Sequence, residues 1–193
     1  MASVASSKDL LMLLLYAKGH KGEQCEPVRG RTRVMKMVFL FDKELRREFN
    51  LEKVIPDSAI PNFQAYNFGP FAADIFSDLE FLVELGFVQV SLVEGEDPPS
   101  DEEQKEYEYW QAGKGGGGES DLEAEERFEL TPLGQSFVES ELLNNFSKEQ
   151  LAVLDKFKAR CTAATLDSLL SYVYTRYPEM AKKSKVRKRY LPG

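Results

Sequence analysis

A chain of 193 residues, 42% of them apolar and 11% aromatic, has the material for one sizeable core, which excludes global disorder and removes the need for a disulfide or metal staple. Its formal charge of −7 and pI of about 5.0 argue against a protein built chiefly to hold a phosphate backbone. With Cys25, Cys161 and the lone histidine His20 scattered along the chain, there is no metal-ligand spacing and no Cys/His or Ser/His/Asp set, so neither catalysis, a metal nor a cofactor is expected.

Ser6 or Ser7 is placed to cap a first helix running to about Lys18, with Leu10, Leu13, Leu14 and Ala17 on one face and Gly19 closing it. The apolar run 10–17 is too short to span a bilayer and lacks a charged leader and a small-residue cleavage pattern, so a cytoplasmic protein is expected. Residues 19–30 read as a loop, with His20 a solvated loop histidine. A second helix is expected over 31–49, burying Val34, Val38, Phe41 and Leu45 with Met37 and Phe39 widening the face. Its front end carries Arg29, Arg31, Arg33 and Lys36, and cations there oppose the helix dipole at about 0.3–1 kcal/mol each. Two explanations stay open: ion pairs with the acidic third helix or Asp9, or a surface that meets an anion or a partner. Arg31, Arg33 and Lys36 are therefore candidate partner-binding residues, with Arg33 and Lys36 expected to face carboxylates.

Pro56 and Pro61 break the chain, and 63–68 alternates like a short strand. Gly69-Pro70 reads as a turn that opens a third helix over 71–85, with Ile75, Leu79, Leu82 and Val83 inward and Gly86 after its end. Strand-like alternation follows over 87–93 and 127–131, which are expected to pair antiparallel as a two-stranded wing. Helix then hairpin predicts a winged-helix-like core inside an α+β, mostly helical chain. The helix that would carry the recognition face holds Asp74, Asp78, Glu80 and Glu84 and no Lys or Arg, so it would repel DNA. Asp74 and Asp78 share a face, but acids so placed are ordinarily solvated or ion-paired rather than metal ligands.

The wing's tip is long. Residues 94–126 hold thirteen acids against Lys105 and Lys114, together with Pro98-Pro99 and four consecutive glycines, and are expected to form a disordered acidic insertion. Tyr107, Tyr109 and Trp110 inside it are candidate anchors for a protein partner. Beyond the wing, Thr131 caps a helix with Pro132 at its first position, Ser147 and Gln150 form a capping box for the next, and a last helix begins near Thr165. The tail is basic and expected to be mobile or ordered by a partner. Its Lys182, Lys183, Lys185, Arg187, Lys188 and Arg189 are the candidate phosphate contacts of an alternative, nucleic-acid reading. The chain thus divides into one domain, 1–181, and a tail, 182–193.

The order of Arg31-Thr-Arg-Val-Met-Lys36, Tyr66-Asn-Phe-Gly-Pro-Phe71, Leu85-Gly-Phe-Val88, Leu130-Thr-Pro-Leu-Gly134 and Leu169-Leu-Ser-Tyr-Val-Tyr174 with Tyr177-Pro178 resembles the YwgA-like proteins of bacteria and archaea. The resemblance covers about 7–186. More distantly the chain is similar to the SocA-type antitoxin domain, called Panacea, whose members pair a basic helix with a Tyr-Gly-Pro turn. The resemblance implies a winged-helix-like module acting as an antitoxin, adaptor or defence accessory through protein contacts, generally without catalysis, and carries Arg33, Lys36, Tyr66, Phe68, Gly69, Pro70 and Phe71 as its motif residues. Val34-Met35 stands where Leu-Gln is usual, and the acidic wing insertion is a second departure. Of these, Tyr66, Phe68 and Phe71 join the candidate partner-binding residues. A protein partner is expected, with a winged-helix DNA-binding regulator as the alternative.

Overall fold

All six residues from Leu10 to Leu15 are buried in the first helix, α1 (Ser7–Tyr16), so α1 is enclosed on every side rather than on one face, as its uninterrupted apolar run requires. Ser6 caps it as expected: its hydroxyl accepts from Asp9 N–H and the Asp9 carboxylate accepts from Ser6 N–H at 3.0 Å. The computed structural model describes residues 4–67, 69–94, 124–184 and 187–191. After α1 come β1 (Val28–Arg29), α2 (Arg31–Leu40), which runs on as a π-helical turn (Phe41–Leu45), β2 (Gln64–Tyr66), β3 (Gly69–Phe71), α3 (Ala73–Glu84) and β4 (Val88–Glu94). Then follow β5 (Ala124–Leu130), α4 (Pro132–Phe137) with its own π-helical turn (Val138–Leu142), α5 (Lys148–Ala163), α6 (Leu166–Arg176) and α7 (Arg187–Tyr190). The architecture is α+β and mostly helical, with two small antiparallel sheets.

The expected hairpin forms. β4 and β5 pair antiparallel from Val88 opposite Leu130 to Glu94 opposite Ala124. β1 adds a third strand on the far side of β5, with Val28 opposite Phe128, inside the segment expected to be a loop. Val28, Val88, Phe128 and Leu130 are buried, and this inner face covers the helices. Thr131 then caps α4, its Oγ1 accepting from Gly134 N–H at 3.1 Å with Pro132 at the first helical position. Gly134 has a specific duty: an added Cβ would lie 2.1 Å from the Phe87 carbonyl oxygen, so the start of α4 presses directly on the entry to β4. The Ser147–Gln150 capping box opens α5, and Thr165 caps α6.

Gly69-Pro70 behaves differently from expectation. Instead of opening α3, Pro70 lies in β3, which pairs with β2 through Gln64–Phe71, Ala65–Pro70 and Tyr66–Gly69. A two-stranded sheet has only edges, where proline's missing N–H is tolerated, so the ring suits a strand as well as a helix start. Gly69 takes φ of +90°, and its Cα faces the Tyr174 ring, so it combines a left-handed backbone with a close approach. α2 also stops short of its expected end at Phe49, because the π-helical turn and Asn50, at φ +53°, redirect the chain. The end of the described tail contacts α6. Tyr190 stacks on Tyr174 with ring centroids 5.1 Å apart and planes 7° from parallel, while the Arg189 guanidinium and Tyr190 hydroxyl both donate to Asp167 at 2.9 Å.

Candidate functional site

The basic start of α2 is largely turned into the molecule. Arg31 grips Glu126 of β5 through two hydrogen bonds, Nε to Oε2 at 2.5 Å and Nη2 to Oε1 at 2.9 Å. Its guanidinium also lies 5.6 Å from the ring centroids of both Phe76 and Phe128, and 3.8 Å from Glu80 of α3. The ion pair with the acidic third helix is therefore present, but the stronger partner is the wing strand. Asp9 takes no part, being used in the α1 cap.

Arg33 and Lys36, expected to face carboxylates, face main-chain carbonyls. Arg33 Nη1 donates to the Cys161 and Ala164 carbonyls at 2.6 and 2.5 Å, at the C-terminal end of α5, where the last carbonyls lack helical partners and carry the negative end of the dipole. Lys36 is wholly enclosed, and its Nζ donates to the Pro70 carbonyl at 3.0 Å, tying α2 to the β2–β3 hairpin. Tyr66 and Phe71 stack 5.1 Å apart, and Phe71 meets Phe76 of α3 edge-on at 5.7 Å. Arg31, Lys36, Tyr66 and Phe71 thus gather around α2, α3 and the hairpin, whereas Arg33 reaches away from them to the end of α5. Phe68, Tyr107, Tyr109, Trp110 and Lys185 lie outside the described residues.

A second charged group surrounds the end of α1, and sequence spacing gives no sign of it. Lys158 of α5 is fully enclosed and donates to the Leu15 and Ala17 carbonyls at 2.6 and 2.8 Å, completing the C-terminus of α1 with a cation. Burial pulls its ammonium down to about 8, against the opposing pull of Cys25, Glu26 and Asp155. Beside it, the buried Glu26 carboxylate meets His20 Nδ1 at 2.7 Å and accepts from Lys21 N–H at 2.8 Å, so His20 has a partner that the loop reading did not foresee. Cys25, in the same loop, would be a nucleophile only if its thiol were activated. Burial instead raises Cys25, holding it as the neutral thiol, the wrong state for attack.

The outward side of α3 is the exposed counterpart. Asp78 is drawn inward and accepts from Ser7 Oγ and pairs with Lys8 at 2.7 Å, so it supplies no ligand to Asp74. Among the described residues no group of acids, histidines or cysteines could hold a metal ion. What remains exposed on α3 is Ala73, Asp74, Ser77, Phe81, Glu84 and, just past its end, Leu85, with Phe81 and Leu85 open to 44% and 49%. Lys8 lies over the Phe81 ring at 5.3 Å. Next in the chain, β4 is hydrogen-bonded on one side only, at the end of the β1–β5–β4 order, and exposes Val90 and Leu92. These apolar side chains sit on an acidic helix and an adjoining open strand.

In the tail, Lys182, Lys183, Arg187 and Lys188 are exposed, whereas Arg189 is bound to Asp167. No described helix is long and apolar enough to cross a membrane. Comparison with family models, with curated proteins and with solved structures returns no significant match.

Proposed function

We propose that this chain is a non-catalytic regulatory or adaptor module of winged-helix-like form that acts by binding another protein, in the manner of the YwgA-like and SocA-type antitoxin proteins it resembles. In this reading α3 stands where a recognition helix would and β4–β5 is the wing. The observation that carries the proposal is the outward side of α3: Phe81 and Leu85 are exposed among Asp74 and Glu84, with no cation on the helix. Such a surface repels phosphate and offers apolar anchors to a partner with a basic rim. The acidic segment between the wing strands, 95–123, with Tyr107, Tyr109 and Trp110, extends the same chemistry in sequence. Arg31 and Lys36 serve this reading by fixing α3, the wing and the hairpin, and Arg33 by holding the end of α5, rather than by reaching out themselves. The exposed tail lysines and Arg187 favour a second reading, a DNA-binding regulator with backbone contacts only.

Affinity capture from host extract separates the two. The full chain should retain one protein that the Phe81→Ser/Leu85→Ser chain loses while melting at the same temperature. Equal capture by both chains, or retention of nucleic acid alone, would overturn the protein-partner reading.

A further inference from the structure

A separate cleft of about 510 Å³ lies between the π-helical turn after α2, α5 and the start of α6, remote in character from the acidic face of α3. Its size is that of a small-molecule site, roughly 300–1,000 Å³. Leu40, Leu45, Phe157 and Leu169 are buried in its wall, and Phe49, 39% exposed, also lines it. The π-helical turn brings Glu44 and Leu45 to the same cleft, and such turns recur at functional sites.

The polar groups of the cleft are unequal. Glu44, the one acid in the wall, is held back by two tyrosines, its Oε1 accepting from the Tyr172 and Tyr177 hydroxyls at 2.8 and 3.0 Å. Lys156 and Arg160, one helical turn apart on α5, are exposed on the rim and form no ion pair with a described residue. An apolar trough with two uncommitted cations at one side fits an anionic head on an apolar tail. Cys161, at the base, adds no reactivity: burial pushes its thiol up to about 12. We propose that this cleft binds a medium-chain carboxylate, its tail along Leu40, Leu45 and Leu169 and its head at Lys156 and Arg160. This site is independent of the partner surface on α3.

Decanoate is the probe, with decanol and decyltrimethylammonium as headgroup controls, measured on the full chain by calorimetry and by methyl NMR. One decanoate per chain is expected, shifting the methyls of Leu40, Leu45, Val153 and Leu169. Removing both exposed cations, in Lys156→Gln/Arg160→Gln, should weaken decanoate roughly tenfold, about 1.4 kcal/mol, and leave decanol unchanged. Val153→Phe, which fills the cleft, should reduce binding of decanoate and decanol alike. Absence of saturable decanoate binding, shifts confined to other methyls, or equal affinity for decyltrimethylammonium would overturn the proposal.

Discussion

At the scale of single residues, Arg33, Lys36 and Lys158 all use their charge on main-chain carbonyls that another element leaves open. Lys158 makes this testable through pH. Its ordinary value of 10.5 falls to about 8 in the folded chain, so between those values the unfolded chain keeps a proton that the folded chain has released. Stability relative to Lys158→Met should therefore rise with pH from about 8 to 10.5 and be flat on either side. Urea unfolding of both chains at the two ends of the window checks it; a margin that shrinks with pH would mean that the charge is favoured in its site. Gly134 provides a steric test. Its missing Cβ leaves room for the Phe87 carbonyl, so Gly134→Ala must displace backbone and should cost about 1–3 kcal/mol in a thermal or urea melt. An unchanged melt would place α4 farther from the wing than the structure does.

At the scale of elements, Arg33 joins α2 to the end of α5 just before α6 begins, and Arg33→Ala should leave two carbonyls without their charged donor. A loss of about 1.5–3 kcal/mol is expected, with faster amide exchange at the end of α5 and little change at the Phe81 surface. Partner binding that falls while stability holds would return Arg33 to the surface role its sequence position suggests. The same elements show what a sequence discloses. Ser6, Thr131 and Ser147 were legible as caps, and Thr165 as the start of the last helix, because capping depends on bonds within four residues. The pairing of β4 with β5 was legible because alternation marks both strands. β1 was not, since two residues carry no period, and its place depends on Val28 meeting Phe128 about a hundred residues away. The π-helical turns were hidden because helical spacing tolerates one extra residue, and the cleft beside α5 was hidden with them. Lys36 read as a cation for carboxylates or a partner, and Lys158 gave no signal at all, because the carbonyls that hold them come from other elements.

At the scale of the whole molecule, charge is separated along the chain, acidic over 94–126 and basic over 182–189, on a body whose cations at α2 are internally used. The two tracts make opposite demands on a nucleic-acid ligand. If the tail governs binding, removal of 182–193 should abolish it, and affinity should fall steeply with salt as counterions return to the phosphates. Removal of 95–123 should then strengthen it by deleting like-charge repulsion. If α3 and the insertion meet a protein, the full chain should hold duplex DNA only weakly at low salt and lose it at physiological salt, without sequence preference. Duplex binding by the full chain, the tail deletion and the insertion deletion at two salt concentrations distinguishes these cases. The expected result is weak, salt-sensitive binding that requires the tail and improves without the insertion; tight, sequence-dependent binding by the full chain would require α3 to read bases despite Asp74 and Glu84, and would overturn the protein-partner assignment.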